Sequence, residues 1–273
     1  MAFDKRLSRY FIKLLFLAIL LPETAISFPG STCSQQQHPI EERESGIALY
    51  GKGAYEEAAR ELTDATKREK DNLTAWHYLA LSLEKLGRLK EARKAHEKTA
   101  KLGDLLITTQ VSKPIGTEYE LLLASINPVL KFAAASSRRY IELSGMLSNP
   151  DLDEWSIRAD YLSDFVELFN PSLTASGTVL SGTKVTTKAR IVSKPEPQYP
   201  DEARERRTTG DVKLFLVFAR DGRVRAIFPL RSLPNGLTAS AIRAARQVRF
   251  TPAAKDGQPV SLLAVVEYNF RVY

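Results

Sequence analysis

Residues 210–233 read GDVKLFLVFARDGRVRAIFPLRSL, and this stretch predicts a β-hairpin. Val212, Leu214 and Leu216 lie two positions apart, which is the spacing of side chains on one face of a strand. Asp221-Gly222 then marks a tight turn before a second apolar run that ends near Phe228. We therefore expect two antiparallel strands joined by a short turn.

The segments on both sides of this hairpin extend it into a domain. Residues 235–250, NGLTASAIRAARQVRF, predict a helix with one apolar stripe, and residues 259–273, PVSLLAVVEYNFRVY, predict a long strand. Upstream, the prolines of residues 195–200, PEPQYP, exclude a helix or a central strand, and DEARERR predicts a short helix behind them. The order helix, strand, strand, helix, strand predicts a small α+β domain with an antiparallel sheet and helices on one face.

These elements together resemble the C-terminal domain of the TonB energy transducers, over about residues 190–273. The motifs that carry the resemblance are QYPDEAR, the glycine before the first strand, the Asp-Gly turn, SLPNGL, AAR followed by FTPA, and DGQPV before a Tyr-x-Phe strand. The resemblance implies docking to outer-membrane receptors, with a short receptor segment added as a strand beside the last strand of the domain. The partner-binding residues that it implies are Gln198, Tyr199, Pro200, Val260, Leu262, Ala264, Val266 and Tyr268.

Strand addition also has a physical basis in these residues. An edge strand offers unpaired backbone donors and acceptors, and a rigid segment carrying Gln198 and Tyr199 beside it adds specificity at little entropic cost. For Tyr199 a second role stays open, because its ring can pack under the helix that begins near Asp201. Pro200 is then a favourable residue for the first turn of that helix.

Residues 46–103 contain an internal repeat with a period of 34. It superposes Gly46 on Ala80, Leu49 on Leu83, Gly53 on Gly87 and Ala58 on Ala92. The repeat resembles the tetratricopeptide (TPR) family over about residues 39–104, which implies two antiparallel helices per repeat and a groove for a protein or peptide. Helical spacing over residues 117–169 predicts more helices, either as further repeats or as an unrelated cap. We expect one all-α unit over residues 41–170.

The N-terminal residues 1–27 have the features of an export signal. Four basic residues precede the apolar run LLFLAILL, and Ala25 and Ser27 give a small-x-small pair suited to cleavage before Phe28. An uncleaved anchor is the alternative. We expect a disordered tail over residues 28–40, a linker rich in Ser, Thr and Gly over residues 171–189, and the TonB-like domain over residues 190–273. The fold class is thus multidomain, with a TPR-like helical module before a small α+β domain.

Charge and composition narrow the function. The formal net charge is +7, and residues 188–273 hold 16 Lys and Arg against 8 Asp and Glu, whereas residues 41–104 hold 13 of each. Nucleic acid or an anionic surface are the usual partners of such a basic region, and the export signal argues against nucleic acid. Cys33 is the single cysteine, which excludes an intramolecular disulfide. We find no metal site, cofactor motif or catalytic constellation and predict a protein that is not an enzyme.

Two functions follow from these features. The first is a periplasmic interaction protein that docks to a TonB-dependent outer-membrane receptor or another envelope protein, while the repeats bind or space a second protein. The alternative is an energy transducer anchored in the inner membrane, with motor proteins of the ExbB/ExbD type as partners. The predicted linker of about 19 residues reaches at most ~65 Å and has no proline-rich run, which favours the first function.

Overall fold

The computed structural model describes residues 34–113, 119–147, 152–169 and 179–271. The chain divides into two compact units, Met1–Gln37 and His38–Tyr273, and the second contains nearly all of the described residues. The predicted export signal and Cys33 lie outside the described residues. Of the predicted tail, residues 34–40 belong to the first described helix. In the described part of the chain, no helix has both the length and the apolar character needed to cross a membrane.

Six helices of the described chain precede the first strand. They are α1 (Ser34–Gly51), α2 (Tyr55–Arg68), α3 (Leu73–Lys85), α4 (Leu89–Val111), α5 (Tyr119–Met146) and α6 (Asp153–Leu168). Local sequence explains several of their ends. Asn72 caps α3 by accepting a hydrogen bond from the Ala75 amide at 3.0 Å. In α2, acidic residues in the first turn and basic residues in the last turn complement the helix dipole.

The 34-residue repeat is visible in the backbone. The turns that follow α1 and α3 contain Gly53 and Gly87, both with positive φ angles, of 80° and 72°. The amide of Ala54 donates to Leu49 O at 3.0 Å, and 34 residues later the amide of Arg88 donates to Leu83 O at 2.9 Å. The pairs α1–α2 and α3–α4 are therefore joined in the same way, while their assignment to the tetratricopeptide family stays a prediction.

Gly103 lies where three helices meet, so we expect a methyl group added at this position to lower the stability of the protein. A Cβ atom at Gly103 of α4 would lie 2.5 Å from Ala133 Cβ of α5 and 3.2 Å from Leu162 Cδ2 of α6. We expect Gly103→Ala to lower the free energy of unfolding by about 1–3 kcal/mol through overpacking. Thermal unfolding of the two chains measures the difference.

Gly145 of α5 is the matched control, because a Cβ atom there would have no neighbour within 4 Å. Gly145→Ala should raise stability by about 0.5–1 kcal/mol, since alanine loses less conformational entropy in a helix. Equal effects of the two substitutions would contradict the close approach of the three helices at Gly103.

The C-terminal part contains seven strands and two helices in the described residues. They are β1 (Val179–Leu180), β2 (Arg190–Ser193), α7 (Asp201–Glu205), β3 (Gly210–Phe218), β4 (Val224–Arg231), α8 (Leu237–Arg246), β5 (Arg249–Thr251), β6 (Ala253–Lys255) and β7 (Gln258–Phe270). The main sheet has the order β1-β7-β3-β4, with β6 also paired to β7, and β2 pairs with β5 in a separate ribbon.

The main sheet is mixed, which corrects the expectation of an antiparallel sheet. The expected hairpin and the β3–β7 pair are antiparallel, but β1 pairs with β7 in parallel. Residues 179–189 of the predicted linker supply this strand and then run beside β6, where the amides of Thr186 and Thr187 donate to Ala254 O, each at 2.9 Å. The sequence did not predict this strand, because two residues, Val179 and Leu180, are too few to give a strand pattern.

Helices cover both faces of the sheet. Val212, Leu214 and Leu216 of β3 share a core with α8, whereas Phe215 and Val217 point the other way and pack in a core with α5 and α6. The centre of this second core is Phe165 of α6, whose ring centroid lies 6.2 Å from that of Phe215. The helical region and the β-sheet of the unit His38–Tyr273 therefore share one hydrophobic core.

Charged groups reinforce this packing at the hairpin. Arg225 of β4 pairs with Asp164 at 3.0 Å and with Glu167 at 2.6 Å, both on α6. The other Asp164 oxygen accepts from the Ala226 amide at 2.8 Å. Ala226 has a φ of 50°, an unusual backbone for a residue with a Cβ, and the hydrogen bond that its amide donates to α6 helps to hold it in that conformation.

Candidate functional site

The outer side of β7 is only partly covered. On its inner side β7 pairs with β3 from Leu262 to Phe270. On its outer side it pairs with β1 at residues 261–262, and its first residues, 258–260, pair with β6. Within the described residues no strand continues this outer row, so Leu263–Asn269 form an open edge.

The direction of the backbone groups at the open edge follows from one contact. The carbonyl oxygen of Glu267 accepts a hydrogen bond from Lys194 Nζ at 2.6 Å, so the Glu267 backbone points away from β3. In an antiparallel ladder alternate residues direct both backbone groups to the same side. Leu263, Val265 and Asn269 therefore also direct their N–H and C=O groups outward. The Val265 side chain is 51% exposed on this edge.

The residues of β7 that the sequence nominated have their side chains in the interior. Leu262, Val266 and Tyr268 are buried in the core with α8, and Val260 and Ala264 pack against it. Their contacts with a partner stay a prediction. The outward backbone groups belong to the alternate residues Leu263, Val265, Glu267 and Asn269. The alternation of apolar and polar side chains near the end of the strand was the sequence feature that could have identified them.

The Gln-Tyr-Pro element lies beside the end of β7. The Tyr199 hydroxyl donates to Thr208 O, and its ring meets the Phe270 ring edge-on with centroids 5.8 Å apart. Pro200 is the N-cap residue of α7. The carbonyl of Gln198 accepts from Ser240 Oγ at 2.5 Å, while the Gln198 residue is exposed. Tyr199 thus packs under the helix, and Gln198 faces solvent from a fixed backbone.

Beside this contact, a cavity of about 480 Å³ lies between the segment that leads to Tyr199 and the end of β7. We call it the slot, and its lining residues are Glu196, Pro197, Tyr199, Asn269, Phe270 and Arg271. Tyr199 is thus both packed and part of the slot wall. Arg271 Nε donates to Asn269 Oδ1 at 2.7 Å, and Asn269 Nδ2 donates to Asp211, so polar side chains on one wall are held in place.

Tyr268 and Lys194 connect the slot with the open edge. The Lys194 ammonium lies 4.4 Å from the centroid of the Tyr268 ring, in addition to its bond to Glu267 O. Burial and the charge of Glu196 raise the pKa of Tyr268 to about 12, so its hydroxyl stays protonated at neutral pH. This buried hydroxyl has no hydrogen-bond partner in the described part of the chain. Lys194 thus occupies one acceptor, Glu267 O, of an otherwise unpaired edge.

The histidines of the helical region form a buried polar cluster. Ser136 Oγ of α5 lies 3.0 Å from the Nδ1 atoms of both His77 and His96. His96 Nε2 contacts Glu84 Oε1 at 2.6 Å, and the other Glu84 oxygen pairs with Arg139 at 2.6 Å. Burial lowers the pKa of His77 to about 4 and also lowers the pKa of His96.

This cluster has a structural role. Ser136 contacts His96, which contacts Glu84, and a serine, a histidine and a carboxylate linked in this way are the groups of an acyl-transfer site. Here Ser136 and His96 are buried among three packed helices, where a substrate would not reach them. In the described residues no group of three His, Cys, Asp or Glu side chains is placed to hold a metal ion. The cluster therefore joins α3, α4 and α5.

A second cleft lies between α6 and the β4–α8 connection. It has a volume of about 360 Å³, and Arg158, Tyr161, Leu233, Pro234 and Ile242 contribute to its lining. Two polar groups of α6 in this lining are already engaged, because Arg158 Nε and the Tyr161 hydroxyl both donate to Asp104 of α4, at 2.8 and 2.5 Å. Burial raises the pKa of Asp104, and the two donors oppose that effect.

Comparison with known proteins identifies a relationship for the C-terminal part of the chain. Residues 195–272 match the family model of the Gram-negative bacterial TonB protein C-terminal. The solution NMR structure of the Pseudomonas aeruginosa TonB C-terminal domain is 26% identical in sequence, covering 34% of this chain and 92% of that chain, with a TM-score of 0.28. No curated protein matches the chain. A TonB-type C-terminal domain thus accounts for residues 195–272, and the match does not extend to the helical region.

Proposed function

We propose that the C-terminal domain docks to an envelope partner, in the first place an outer-membrane receptor, by adding a partner strand to the open edge Leu263–Asn269. The observation that carries the proposal is the set of outward backbone groups at Leu263, Val265, Glu267 and Asn269 beside the slot. The family match over residues 195–272 supports a receptor as the partner. The protein acts by binding and performs no catalytic step.

Backbone pairing supplies affinity in this mode, and side chains beside the edge supply specificity. The open edge spans seven residues, which is room for a partner strand of about 20–25 Å at ~3.3 Å per residue. Gln198 and Tyr199 then flank the added strand from a backbone that is already fixed, so little entropy is lost. Lys194 leaves Glu267 O when the partner strand binds, because that oxygen becomes part of the new ladder.

The helical region holds or spaces a second protein in this proposal. Its supporting feature is a row of half-buried rings on the first helix of each pair and on α5. Tyr50 and Tyr78 meet edge-on with centroids 5.6 Å apart, and Tyr78 meets Phe132 at 5.9 Å. Such a row suits a peptide or protein segment in the groove of a tetratricopeptide-type module.

The proposed location is the periplasm, reached through the N-terminal export signal. The alternative, an energy transducer, needs residues 1–27 to remain as an inner-membrane anchor beside motor proteins of the ExbB/ExbD type. The N-terminal residue and membrane fraction of the native protein distinguish the two. A chain that begins near Phe28 in the soluble periplasm supports the interaction protein, and retained Met1 in the inner membrane supports the transducer.

Val265→Pro tests strand addition with little change to the fold. Proline removes the Val265 N–H, which points outward and takes no part in the β3–β7 ladder, so the edge tolerates it. We expect about tenfold weaker receptor binding from the lost hydrogen bond and the altered edge. The measurement is the yield of a photo-crosslink from position 267 to outer-membrane proteins in cells.

Val265→Ala is the control, because it removes the exposed side chain and keeps the N–H group. It should retain most of the crosslink, and a crosslinker at Asp71, exposed between α2 and α3, should trap none of the same proteins. An unchanged yield in Val265→Pro, or no envelope protein trapped from position 267, would overturn the proposal.

A further inference from the structure

We propose that the β2–β5 ribbon and its flanks form a docking surface for a bilayer of anionic phospholipid. We call residues 185–195 and 247–255 the basic ribbon. They contain five basic residues, Lys188, Arg190, Lys194, Arg249 and Lys255, and no acidic residue. Strand pairing of β2 with β5, and the bonds of Thr186 and Thr187 to Ala254, bring the two segments together.

No described carboxylate is paired with the charges of the basic ribbon, although Lys194 also contacts Glu267 O and the Tyr268 ring. All five basic residues are exposed, and none of them forms an ion pair with a described carboxylate. Elsewhere in the same domain arginines do find such partners, as Arg225 does with Glu167 and Arg246 with Asp160. The ribbon therefore presents a local positive potential that attracts an anionic surface.

Two aliphatic side chains project from the same ribbon. Ile191 is 42% exposed and Val192 is 65% exposed, and every residue of β2 faces solvent. Consecutive strand residues normally point to opposite faces, but the pairing register shifts between Ile191 and Ser193. At this irregularity Val192 has no paired residue in β5 and is exposed next to Ser193, which pairs with Arg249.

The combination of aliphatic and basic groups selects the partner. A nucleic acid or a soluble polyanion would bind the cations and gain nothing from Ile191 and Val192. A bilayer surface takes both, because cations meet the phosphates while short aliphatic side chains enter the interface. Each basic residue near an anionic bilayer raises the partition coefficient about fivefold. The inference is independent of strand addition, since Lys188, Arg190 and Arg249 lie outside the open edge and the slot.

A local probe on the full chain tests the inference without interference from the apolar N-terminus. In a Cys33→Ser background, Val192→Cys carries an environment-sensitive fluorophore, and vesicles contain either phosphatidylcholine alone or one third phosphatidylglycerol. We expect a blue shift of the probe emission with the anionic vesicles only. Glu57→Cys, exposed on α2, is the matched control position and should give no shift.

The triple substitution Lys188→Gln, Arg190→Gln and Arg249→Gln should lower the partition coefficient measured by the probe about a hundredfold. Circular dichroism should be unchanged, since all three side chains are exposed. As an independent measurement, added salt should reverse the blue shift in the labelled chain that keeps Lys188, Arg190 and Arg249. No shift at position 192 with anionic vesicles, an equal shift at position 57, or an unchanged partition coefficient in the triple variant would overturn the proposal.

Discussion

Phe165→Ala should lower the free energy of unfolding by about 3–5 kcal/mol, the range for truncating a buried aromatic side chain. Phe165 is fully buried, and its ring faces Phe169 of the same segment, Phe215 of β3 and Phe228 of β4. The loss therefore falls on the helical region and on the sheet together. Urea unfolding measures the total, and hydrogen exchange should show faster opening of amides in both α6 and β3.

Leu105→Ala is the control for this change. Leu105 lies on α4 and is half exposed, so its truncation should cost under about 1 kcal/mol. The shared core would be contradicted if Phe165→Ala accelerated exchange in α6 and left β3 unchanged. It would also be contradicted if the intact protein unfolded in two separate steps with only the first affected.

Acidification from pH 7 to pH 4 should destabilise the protein by about 3 kcal/mol through His77 alone. The pKa of His77 is lowered from 6.5 to about 4 by burial, with further effects of His96 and Glu84. As the pH falls through 6.5 the unfolded chain binds a proton at this histidine and the folded chain does not. Stability from this group is thus full above pH 6.5 and is lost as the pH falls toward 4.

His77→Gln separates this effect from the titration of other groups. The glutamine does not titrate, so stability should fall less steeply between pH 6.5 and pH 4 than in the unsubstituted protein. His96, whose pKa is also lowered by burial, and Glu84, whose pKa is lowered by Arg139 and His96 against its burial, remain in both chains. Parallel stability curves from urea unfolding at several pH values would show that His77 carries none of the dependence.

Local chemistry predicted the C-terminal domain well. The Asp221-Gly222 turn forms as expected, with Gly222 at a φ of 82° and the Asp221 side chain accepting from the Arg223 amide at 3.0 Å. The helix expected within residues 235–250 spans Leu237–Arg246. The turn and the helix depend on residues that are close together in the chain, so the local sequence is enough to predict them.

The second helical layer on the sheet was not predicted, because it depends on distant pairs. Phe215 and Val217 gave a signal, since a strand that is apolar on both faces is usually buried on both faces. Their partner on α6 lies about 50 residues earlier in the chain, and no local pattern connects them. Likewise, apolar side chains identified β7 as important, but the outward backbone groups depend on which strands flank β7 on each side.

The shared core also determines how the molecule would carry a mechanical load. A pull on a strand added to the open edge is transmitted through the nine residue pairs of β3 and β7, which resist it in shear. From β3 the tension passes to α6 through Phe165 and, by way of β4, through the two carboxylates that hold Arg225. Force applied at the edge therefore reaches the helical region through packed side chains and ion pairs and not through a flexible linker.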